Sequence, residues 1–350
     1  MDDYLHSPVG EGFFLPGEWE PHTRCWVQWP SRADRWRDLM PQAYTEAAEV
    51  IRTIAAYEPV VVIVGEEDAS QARFACGRNK NVQFLELPID DCWARDTAPM
   101  FLSNGENSIA GIAWQFNGWG HSVHGFAQDA ALAEKILRHE NTKMFTADMV
   151  LEGGAISADG YGTVLATEEC LLNEDRNPEL TRPEIEERLA LFLGARKVVW
   201  LGGGLAADPT QGQVSRVAVF AGRDRVLVSD VSDPDDLDRA TLEDNKAHLD
   251  AAVTARGDKL TITSVPLPQN KQVGFDGKPL ASNYLDYYVA NGAVIVPAYD
   301  DPNDAVAASI IGAVFSDRKV VQVPTAVLAI GGGAIRRLTQ PEPALPGSSS

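Results

Sequence analysis

The sequence predicts an α/β protein in which short strands and helices alternate within one domain. Short apolar runs with the composition of strands are separated by segments with helical spacing of apolar residues. The run 59–64 is apolar throughout, which is typical of a strand in a sheet that is covered on both faces. No linker-like segment interrupts residues 16–340, so the repeated β/α units are assigned to a single domain.

The elements follow from local patterns taken in chain order. Thr181 is a suitable N-cap with Pro183 in the first turn behind it, and Asp301-Pro302 opens a later helix. Helices are predicted at 43–57, 69–76, 130–139, 181 onward, 235–255 and 301–315. Strands are predicted within 16–30 and at 59–64, 82–87, 109–116, 163–167, 197–201, 217–220, 225–229, 260–265, 293–298, 320–323 and 327–330.

The two ends of the chain differ from this pattern. Residues 1–15 precede the first predicted strand and are treated as an N-terminal extension. The segment 341–350 is rich in Pro and Ser and is predicted to be a disordered tail. Residues 1–6 are acidic and lack an apolar run, so we expect no signal peptide.

Composition restricts the class of partner. The chain has 350 residues, of which 45% are hydrophobic and 23% charged, as in an ordinary globular protein. The formal net charge of -20 argues against a nucleic-acid or anionic-membrane partner. An acidic surface attracts cationic small molecules, although it also serves solubility alone.

Cysteine usage fits a reducing compartment. Cys25, Cys76, Cys92 and Cys170 are scattered and form no CxxC pair, so neither a metal site nor a disulfide framework is indicated. No apolar segment approaches the roughly 20 residues of a membrane span. We expect a cytoplasmic protein without a metal or cofactor.

The most informative stretch is the triple glycine at 331–333. Consecutive glycines allow a sharp turn and a close approach of the backbone to a ligand. Residues just after such a turn lie on a rigid support, where reactive side chains are commonly placed. Here those residues include Arg336 and Arg337.

Motifs along almost the whole chain resemble those of the agmatine deiminase and peptidyl-arginine deiminase family. The matching stretches are 16–22 with 26–30, 93–99, 114–120, 151–154, 167–173 with 176–178, 284–292, and 331–340. The resemblance implies a five-bladed α/β propeller of the pentein type, built from ββαβ units around a pseudo-fivefold axis. It also implies an active site in the central channel, a small-molecule ligand and a homo-oligomer, a dimer or larger.

The chemistry implied by the resemblance needs an activated nucleophile and a proton carrier. In the family a cysteine thiolate attacks the guanidinium carbon, a histidine transfers protons, and two carboxylates hold the guanidinium nitrogens. The products are a ureido compound and ammonia.

This chain differs from the family at the reactive positions. Arg337 stands at the position of the cysteine, Gln213 at that of the histidine and Ser215 at that of the second carboxylate. Asp96, the first carboxylate, is retained. An arginine is always protonated and glutamine does not titrate, so neither can take over the family role. The further ligand-binding candidates are Trp93, Arg95, Trp119, Glu152, Asp208, Tyr284 and Arg336.

We therefore expect a protein that has lost Cys-dependent guanidine hydrolysis and binds a small anionic or zwitterionic metabolite through Arg337, as a repurposed enzyme or a binding protein. A first alternative is a catalytically inactive structural or regulatory partner in which Arg337 pairs with Asp96. A second alternative is agmatine deiminase, which converts agmatine to N-carbamoylputrescine and ammonia in polyamine biosynthesis.

Overall fold

The computed structural model describes residues 5–345 and 347, and these form five β-sheets. The strands are β1 His22–Gln28, β2 Val60–Val64, β3 Val82–Glu86, β4 Met100–Ser103, β5 Ile109–Gln115, β6 Lys143–Val150, β7 Ile156–Ala158, β8 Thr163–Thr167, β9 Lys197–Leu201, β10 Ala218–Phe220, β11 Arg225–Asp230, β12 Thr261–Pro266, β13 Tyr288–Ala290, β14 Ala293–Ala298, β15 Lys319–Pro324 and β16 Thr339–Pro343. This arrangement confirms the predicted five-bladed α/β propeller.

Helices connect the strands and cover the sheets. They are α1 Ala33–Trp36, α2 Met40–Ile54, α3 Ala69–Cys76, α4 Ala94–Thr97, α5 Ala127–Ala130, α6 Leu132–His139, α7 Glu168–Leu171, α8 Arg182–Leu193, α9 Arg239–Ala251, α10 Asp304–Val314, α11 Ala326–Ile330 and α12 Ile335–Leu338. Short 3-10 turns lie at Arg37–Leu39, Gly153–Ala155 and Val214–Arg216. Within the described residues, no helix has both the length and the apolar character needed to cross a membrane.

Four sheets repeat one pattern, an antiparallel pair followed by a parallel strand. In each of them the first two strands are consecutive and pair antiparallel; these sheets are β4-β5-β6, β7-β8-β9, β10-β11-β12 and β13-β14-β15. The third strand runs parallel to the second. A parallel neighbour requires a crossover connection, and this is why a helical segment separates the second and third strands of each unit.

The fifth sheet is closed by the two ends of the chain. Its order is β16-β1-β2-β3, and β16 pairs antiparallel with β1, with Trp26 opposite Gln340 and Val27 opposite Thr339. Strand β16 extends three residues into the segment 341–350 that the sequence predicts as a disordered tail. The backbone N–H of Ala344 also donates to Pro21 O, so residues 341–344 are part of the folded domain. Pro346 and 348–350 lie outside the described residues.

The N-terminal extension is packed against the domain. Phe13 is buried, and Phe14 forms an antiparallel bridge with Ser103. The backbone N–H of Val9 donates to Leu191 O in α8. Residues 7–15 therefore belong to the folded unit, while residues 1–4 lie outside the described residues.

Most predicted elements are confirmed to within a few residues, and Thr181 forms the predicted N-terminal cap, as a capping box with Glu184. One prediction of type is wrong: the apolar run 327–330 lies in helix α11, not in a strand. The first backbone N–H groups of this helix find an acceptor in another helix, because the Glu46 carboxylate of α2 accepts from Val327 N at 3.1 Å and Leu328 N at 2.8 Å. Local composition carries no signal of such a distant cap.

Candidate functional site

The glycine turn at 331–333 and helix α12 place Arg337 inside the protein. Gly332 has φ +110°, a conformation that side chains rarely adopt. A Cβ at Gly331 would lie 2.2 Å from Trp36 Cζ2, and one at Gly333 would lie 2.9 Å from Trp93 Cζ3. Glycine is thus required because two indole rings pack directly against the turn.

Asp286 fixes the segment that follows the glycines. Its carboxylate accepts hydrogen bonds from Ala334 N at 2.6 Å and Arg337 N at 3.2 Å, and its carbonyl oxygen accepts from Arg336 N at 2.9 Å. Sequence reasoning did not single out Asp286, although it lies in the family-like stretch 284–292. Its role is to hold backbone amides, and no side-chain motif reveals such a role.

The head group of Arg337 is enclosed by one carboxylate and two indole rings. Nη2 donates to Asp96 Oδ2 at 2.6 Å, and Nη1 donates to Gly332 O at 2.7 Å. The guanidinium carbon lies 5.0 Å from the ring centre of Trp93 and 5.3 Å from that of Trp119. Both distances are in the range of cation–π attraction. The structure thus brings together four of the predicted site residues, and three of them surround the guanidinium group of the fourth, Arg337.

Asp96 is held as a carboxylate by its neighbours. It also accepts from Trp119 Nε1 at 2.9 Å and from Gly154 N at 3.1 Å, while Gln213 Nε2 lies at 3.4 Å. Burial raises the pKa of Asp96, but the charge and hydrogen bond of Arg337 outweigh it, and the net pKa lies below its usual value. The same pairing raises the pKa of Arg337 against the opposing effect of burial. Both groups are therefore charged.

Trp119 is positioned by a left-handed turn, Gly118–His121. Trp119 itself has φ 55°, which is uncommon for a bulky residue and costs conformational energy. The Asn117 side chain accepts from Gly120 N at 2.9 Å and stabilises the turn. Arg35 lies over the Trp119 ring, with its guanidinium carbon 5.6 Å from the ring centre. This strained turn lies at the site, and it directs the indole N–H of Trp119 to Asp96.

Asp208 and Gln213 belong to one organised loop. Asp208 Oδ2 accepts from Gly212 N at 3.1 Å and Gln213 N at 3.0 Å, and Oδ1 pairs with Arg216 Nε at 2.9 Å. Asp208 therefore shapes the loop instead of presenting a free carboxylate. Ser215 is buried in the 3-10 turn Val214–Arg216.

Glu152 is committed to a buried ion pair. Arg176 Nε lies 3.0 Å and 3.2 Å from its two carboxylate oxygens, and both side chains are fully buried. Burial raises the pKa of Glu152, and the charge of Asp96 adds to this, while Arg176 opposes it. In this conformation the carboxylate of Glu152 is therefore not available to bind a ligand, as the sequence predicts it to do.

Three other predicted ligand-binding residues are directed away from the Arg337 head group. Arg95 and Arg336 both contact Glu18, with Arg336 Nη1 2.6 Å from Glu18 Oε2. Tyr284 donates to Asp304 Oδ1 at 2.8 Å and packs against Tyr299 in a separate core. Adjacent residues on the single turn α12 point to different pockets, which spacing in the sequence could not resolve.

A cleft of about 750 Å³ leads from the surface to the glycine turn. Gly331–Gly333, Arg35 and Asp208 line its inner end, which places it beside Arg337. Asp235, Asp236 and Asp276 line its outer part, and Lys271 there is paired with Asp236 at 2.8 Å. Asp96 and Arg337 do not line this cleft themselves, so it adjoins their site through the glycine turn.

Neither a thiol at position 337 nor a metal-binding cluster among the described residues accompanies the site. All four cysteines are buried, and position 337 holds arginine. Burial raises the pKa of Cys92 well above its usual value, with a further increase from Asp91 that Arg35 opposes. Among the described residues, no group of three His, Cys, Asp or Glu side chains could hold a metal ion.

Comparisons with known proteins agree along the whole chain. The family model of the Porphyromonas-type peptidyl-arginine deiminases matches residues 14–343. An agmatine deiminase of Pseudomonas aeruginosa (strain LESB58) is 36% identical over 98% of this chain and 99% of its own length. One from Ectopseudomonas mendocina is 36% identical over 99% of this chain and 100% of its own. The solved agmatine deiminase of Enterococcus faecalis superposes with a TM-score of 0.92 and 32% identity, covering 96% of this chain and 97% of that one.

These comparisons correct the functional expectation. The hypothesis of a repurposed or ligand-binding protein for an anionic or zwitterionic metabolite is wrong, and so is that of a catalytically inactive partner. The claim that the chain is not a Cys-dependent deiminase is contradicted by the same relatives. The Arg337–Asp96 ion pair itself is present, and any account of catalysis has to include it.

Proposed function

Because the chain belongs to the Porphyromonas-type peptidyl-arginine deiminase family, we propose that it acts as an agmatine deiminase on a small guanidinium substrate. Relatives named agmatine deiminase match nearly its full length at 36% identity. The proposed reaction adds water to the guanidinium carbon and breaks one C–N bond. Agmatine and water then give N-carbamoylputrescine and ammonia, and no electrons are exchanged.

One observation carries this proposal: the site already holds a guanidinium group. The head group of Arg337 lies between Trp93 and Trp119 with a nitrogen 2.6 Å from Asp96 Oδ2. A planar cation between two aromatic faces and a carboxylate is the chemistry that would recognise the guanidinium end of agmatine. The acidic outer part of the cleft favours a substrate that carries a second positive charge.

Substrate binding requires the head group of Arg337 to leave Asp96. The two guanidinium groups compete for the same carboxylate and the same indole faces. A Cβ at Gly332 would be in ordinary van der Waals contact with Pro209 Cγ at 3.8 Å and Arg337 Nη1 at 4.0 Å, and Gly332 itself lines the cleft. The proposed movement is a rotation of the Arg337 side chain toward this cleft.

We infer further that the chain is a divergent member of its family. The resemblance implies a cysteine at 337, a histidine at 213 and a carboxylate at 215, and this chain has Arg337, Gln213 and Ser215. A nucleophile must therefore come from elsewhere. Cys92 is the thiol to test because it adjoins Trp93 in the chain; burial raises its pKa well above the usual value, and the charges of Arg35 and Arg337 oppose this effect.

The test measures ammonia and ureido product from agmatine, arginine and a peptidyl-arginine substrate. We expect turnover of agmatine by the wild type and by the surface variant Arg78→Gln, and a loss of at least about 100-fold in Asp96→Asn. The Asp96 variant, purified identically, also controls for contaminating deiminases. If no substrate yields ammonia with the wild type, the proposed function is wrong.

A second comparison identifies the nucleophile. Loss of turnover in Cys92→Ser with unchanged agmatine binding would assign the thiol, and full activity in that variant would assign water. Binding is measured by calorimetry with agmatine. In Arg337→Ala we expect at least about tenfold tighter binding, because the internal competitor is removed. Unchanged or weaker binding would contradict the proposed site.

Location and assembly complete the proposal. The composition supports a cytosolic role, where agmatine would be a precursor of polyamines. We also infer a homo-oligomer, as the family resemblance implies. Light scattering after size-exclusion chromatography tests this, and a mass of 38.0 kDa at micromolar concentration would show a monomer.

A further inference from the structure

A second cluster of charged groups lies apart from Arg337 and has an excess of arginine. Both terminal nitrogens of Arg336 donate to the Glu18 carboxylate, and one of them lies 2.6 Å from Oε2. Arg95 Nη1 reaches the same carboxylate only at 3.4 Å. Two buried guanidinium groups thus share one carboxylate, and Arg95 makes the longer and weaker contact with it.

No other carboxylate in the part of the chain that the structure describes balances this excess. Glu58 is the next acidic group, but it accepts from Tyr288 and Asn291 and is in contact with His22. Neither arginine pairs with it, and Asp96 pairs with Arg337. The groups in direct contact with one another therefore carry a net charge of about +1, in a place largely removed from solvent.

Arg95 also has an unused donor in this place. Its side chain is 5% exposed, and Nη2 has no hydrogen-bond partner within residues 5–345 and 347. A buried charged donor without an acceptor is costly, because nothing replaces the water that it loses, so such groups are normally hydrogen-bonded. An acceptor for Arg95 Nη2 that also carries a negative charge would satisfy this donor and neutralise the excess positive charge.

A cavity adjoins Arg95 and has room for such a ligand. Its volume is about 50 Å³, and Glu18, His22 and Gln340 are its other polar walls. Since one water needs roughly 10–15 Å³ by this measure, the cavity can hold a small ion with one or two waters. Among the described residues, no group donates to the side-chain amide oxygen of Gln340, and a water on the ion would supply that donor.

We propose that this cavity, the Arg95 pocket, binds a small monovalent inorganic or carboxylate anion such as chloride, nitrate or formate. The ion accepts from Arg95 Nη2 and neutralises the excess charge of the Arg95–Glu18–Arg336 cluster. It is not a substrate, because the pocket does not include Arg337. Its effect is to stabilise the fold beside Asp96, whichever reaction the Asp96 site performs.

The first experiment is thermal unfolding in sodium chloride, nitrate or formate, with sodium gluconate keeping the ionic strength constant. Gluconate is too large for the pocket. We expect a saturable increase in Tm of roughly 2 °C at ten times the dissociation constant. A shift that grows without saturation, or none with any of the three anions, would mean that water fills the pocket.

Three variants assign the effect to the pocket. Arg95→Gln removes the donor, and Ala158→Leu fills the cavity from its apolar wall without changing a charge. Both should lose the saturable shift, while the exposed control Arg78→Gln keeps it. If Arg95→Gln does not fold, Ala158→Leu decides, together with a bromide-soaked crystal. Anomalous density within about 3.5 Å of Arg95 Nη2 supports the proposal, and its absence at saturating bromide contradicts it.

Discussion

At the scale of single residues, the buried ion pair of Arg337 and Asp96 dominates the site. Both side chains are almost fully buried, so each charge depends on the other for its solvation. Trp93 and Trp119 add cation–π attraction from two sides. Removing one partner leaves an uncompensated charge in a nearly dry environment, and this costs more than the pair itself contributes.

This argument predicts strong coupling between the two positions. Arg337→Met alone and Asp96→Asn alone should each lower the free energy of unfolding by about 3–5 kcal/mol. The double variant should recover about 2 kcal/mol or more of the summed loss, measured by urea denaturation. The exposed helical pair Arg138–Glu134 is the matched control, with expected coupling below about 0.5 kcal/mol. Equal coupling in the two pairs would refute the prediction.

Asp129 predicts a pH dependence of stability. Its Oδ1 accepts from Gln28 Nε2 and Asp90 N, and burial raises its pKa from 3.8 to about 7. Because the folded-state pKa is the higher one, the proton favours folding. This stabilisation is complete below about pH 4 and is lost as the pH rises through 7.

The variant Asp129→Asn mimics the protonated side chain and should be insensitive to this titration. Between pH 5 and pH 8 the wild type should lose on the order of 2 kcal/mol relative to the variant. Urea unfolding at four pH values measures the difference. The exposed control Asp250→Asn should follow the wild type at every pH. Parallel profiles of wild type and Asp129→Asn would contradict the assignment.

At the scale of elements, the glycine turn before α12 and the indole rings around it form one packed unit. Gly331 touches Trp36, Gly333 touches Trp93, and Trp36 in turn packs against Trp93 with ring centres 6.2 Å apart. A methyl group added at Gly333 would displace Trp93, which helps to enclose the Arg337 head group, and one at Gly331 would displace Trp36, which packs against Trp93. The turn thus sets the width of the site.

We therefore expect Gly331→Ala and Gly333→Ala to destabilise the protein by about 1–3 kcal/mol through overpacking. Agmatine binding should weaken in parallel, since the Trp93 wall moves. Denaturant unfolding and calorimetry measure the two effects. Gly65→Ala is the matched control, because its Cβ would meet nothing closer than 4.0 Å. Wild-type stability in both turn variants would show that the indole rings adjust freely.

At the scale of the whole molecule, strand β16 closes the ring of sheets. Trp26 on β1 pairs with Gln340 on β16, and its indole N–H donates to Glu342 at 2.8 Å. This contact joins residues more than three hundred positions apart. Its removal exposes an edge of the first sheet and the apolar face of β1.

A truncation of residues 339–350 should accordingly abolish cooperative unfolding, while a truncation of 346–350 should leave the Tm within about 2 °C of the wild type. Calorimetry of both truncated proteins, with circular dichroism as a check on secondary structure, gives the result. A cooperative transition in the longer truncation would mean that the remaining sheets fold without the closing strand.

The fold could be predicted more fully than the site. Apolar runs such as 59–64 and 293–298 identify buried strands, and family-like motifs in order identify their arrangement. The motifs also grouped Asp96, Trp93 and Trp119 with Arg337. They could not show that Arg336 turns to Glu18, because the direction of a side chain on a single helical turn depends on tertiary contacts. Composition likewise does not indicate that Arg176 forms a buried ion pair with Glu152.

The burial of every cysteine gives the protein a practical use in labelling. Cys25, Cys92 and Cys170 have a pKa raised well above the usual value by burial, and that of Cys76 is raised to about 12. Maleimide dyes react with exposed thiolates, so the folded wild type should remain almost unmodified. A cysteine introduced at the exposed positions 78 or 250 could then carry a fluorophore alone, and blade motions could be followed without first deleting the native thiols.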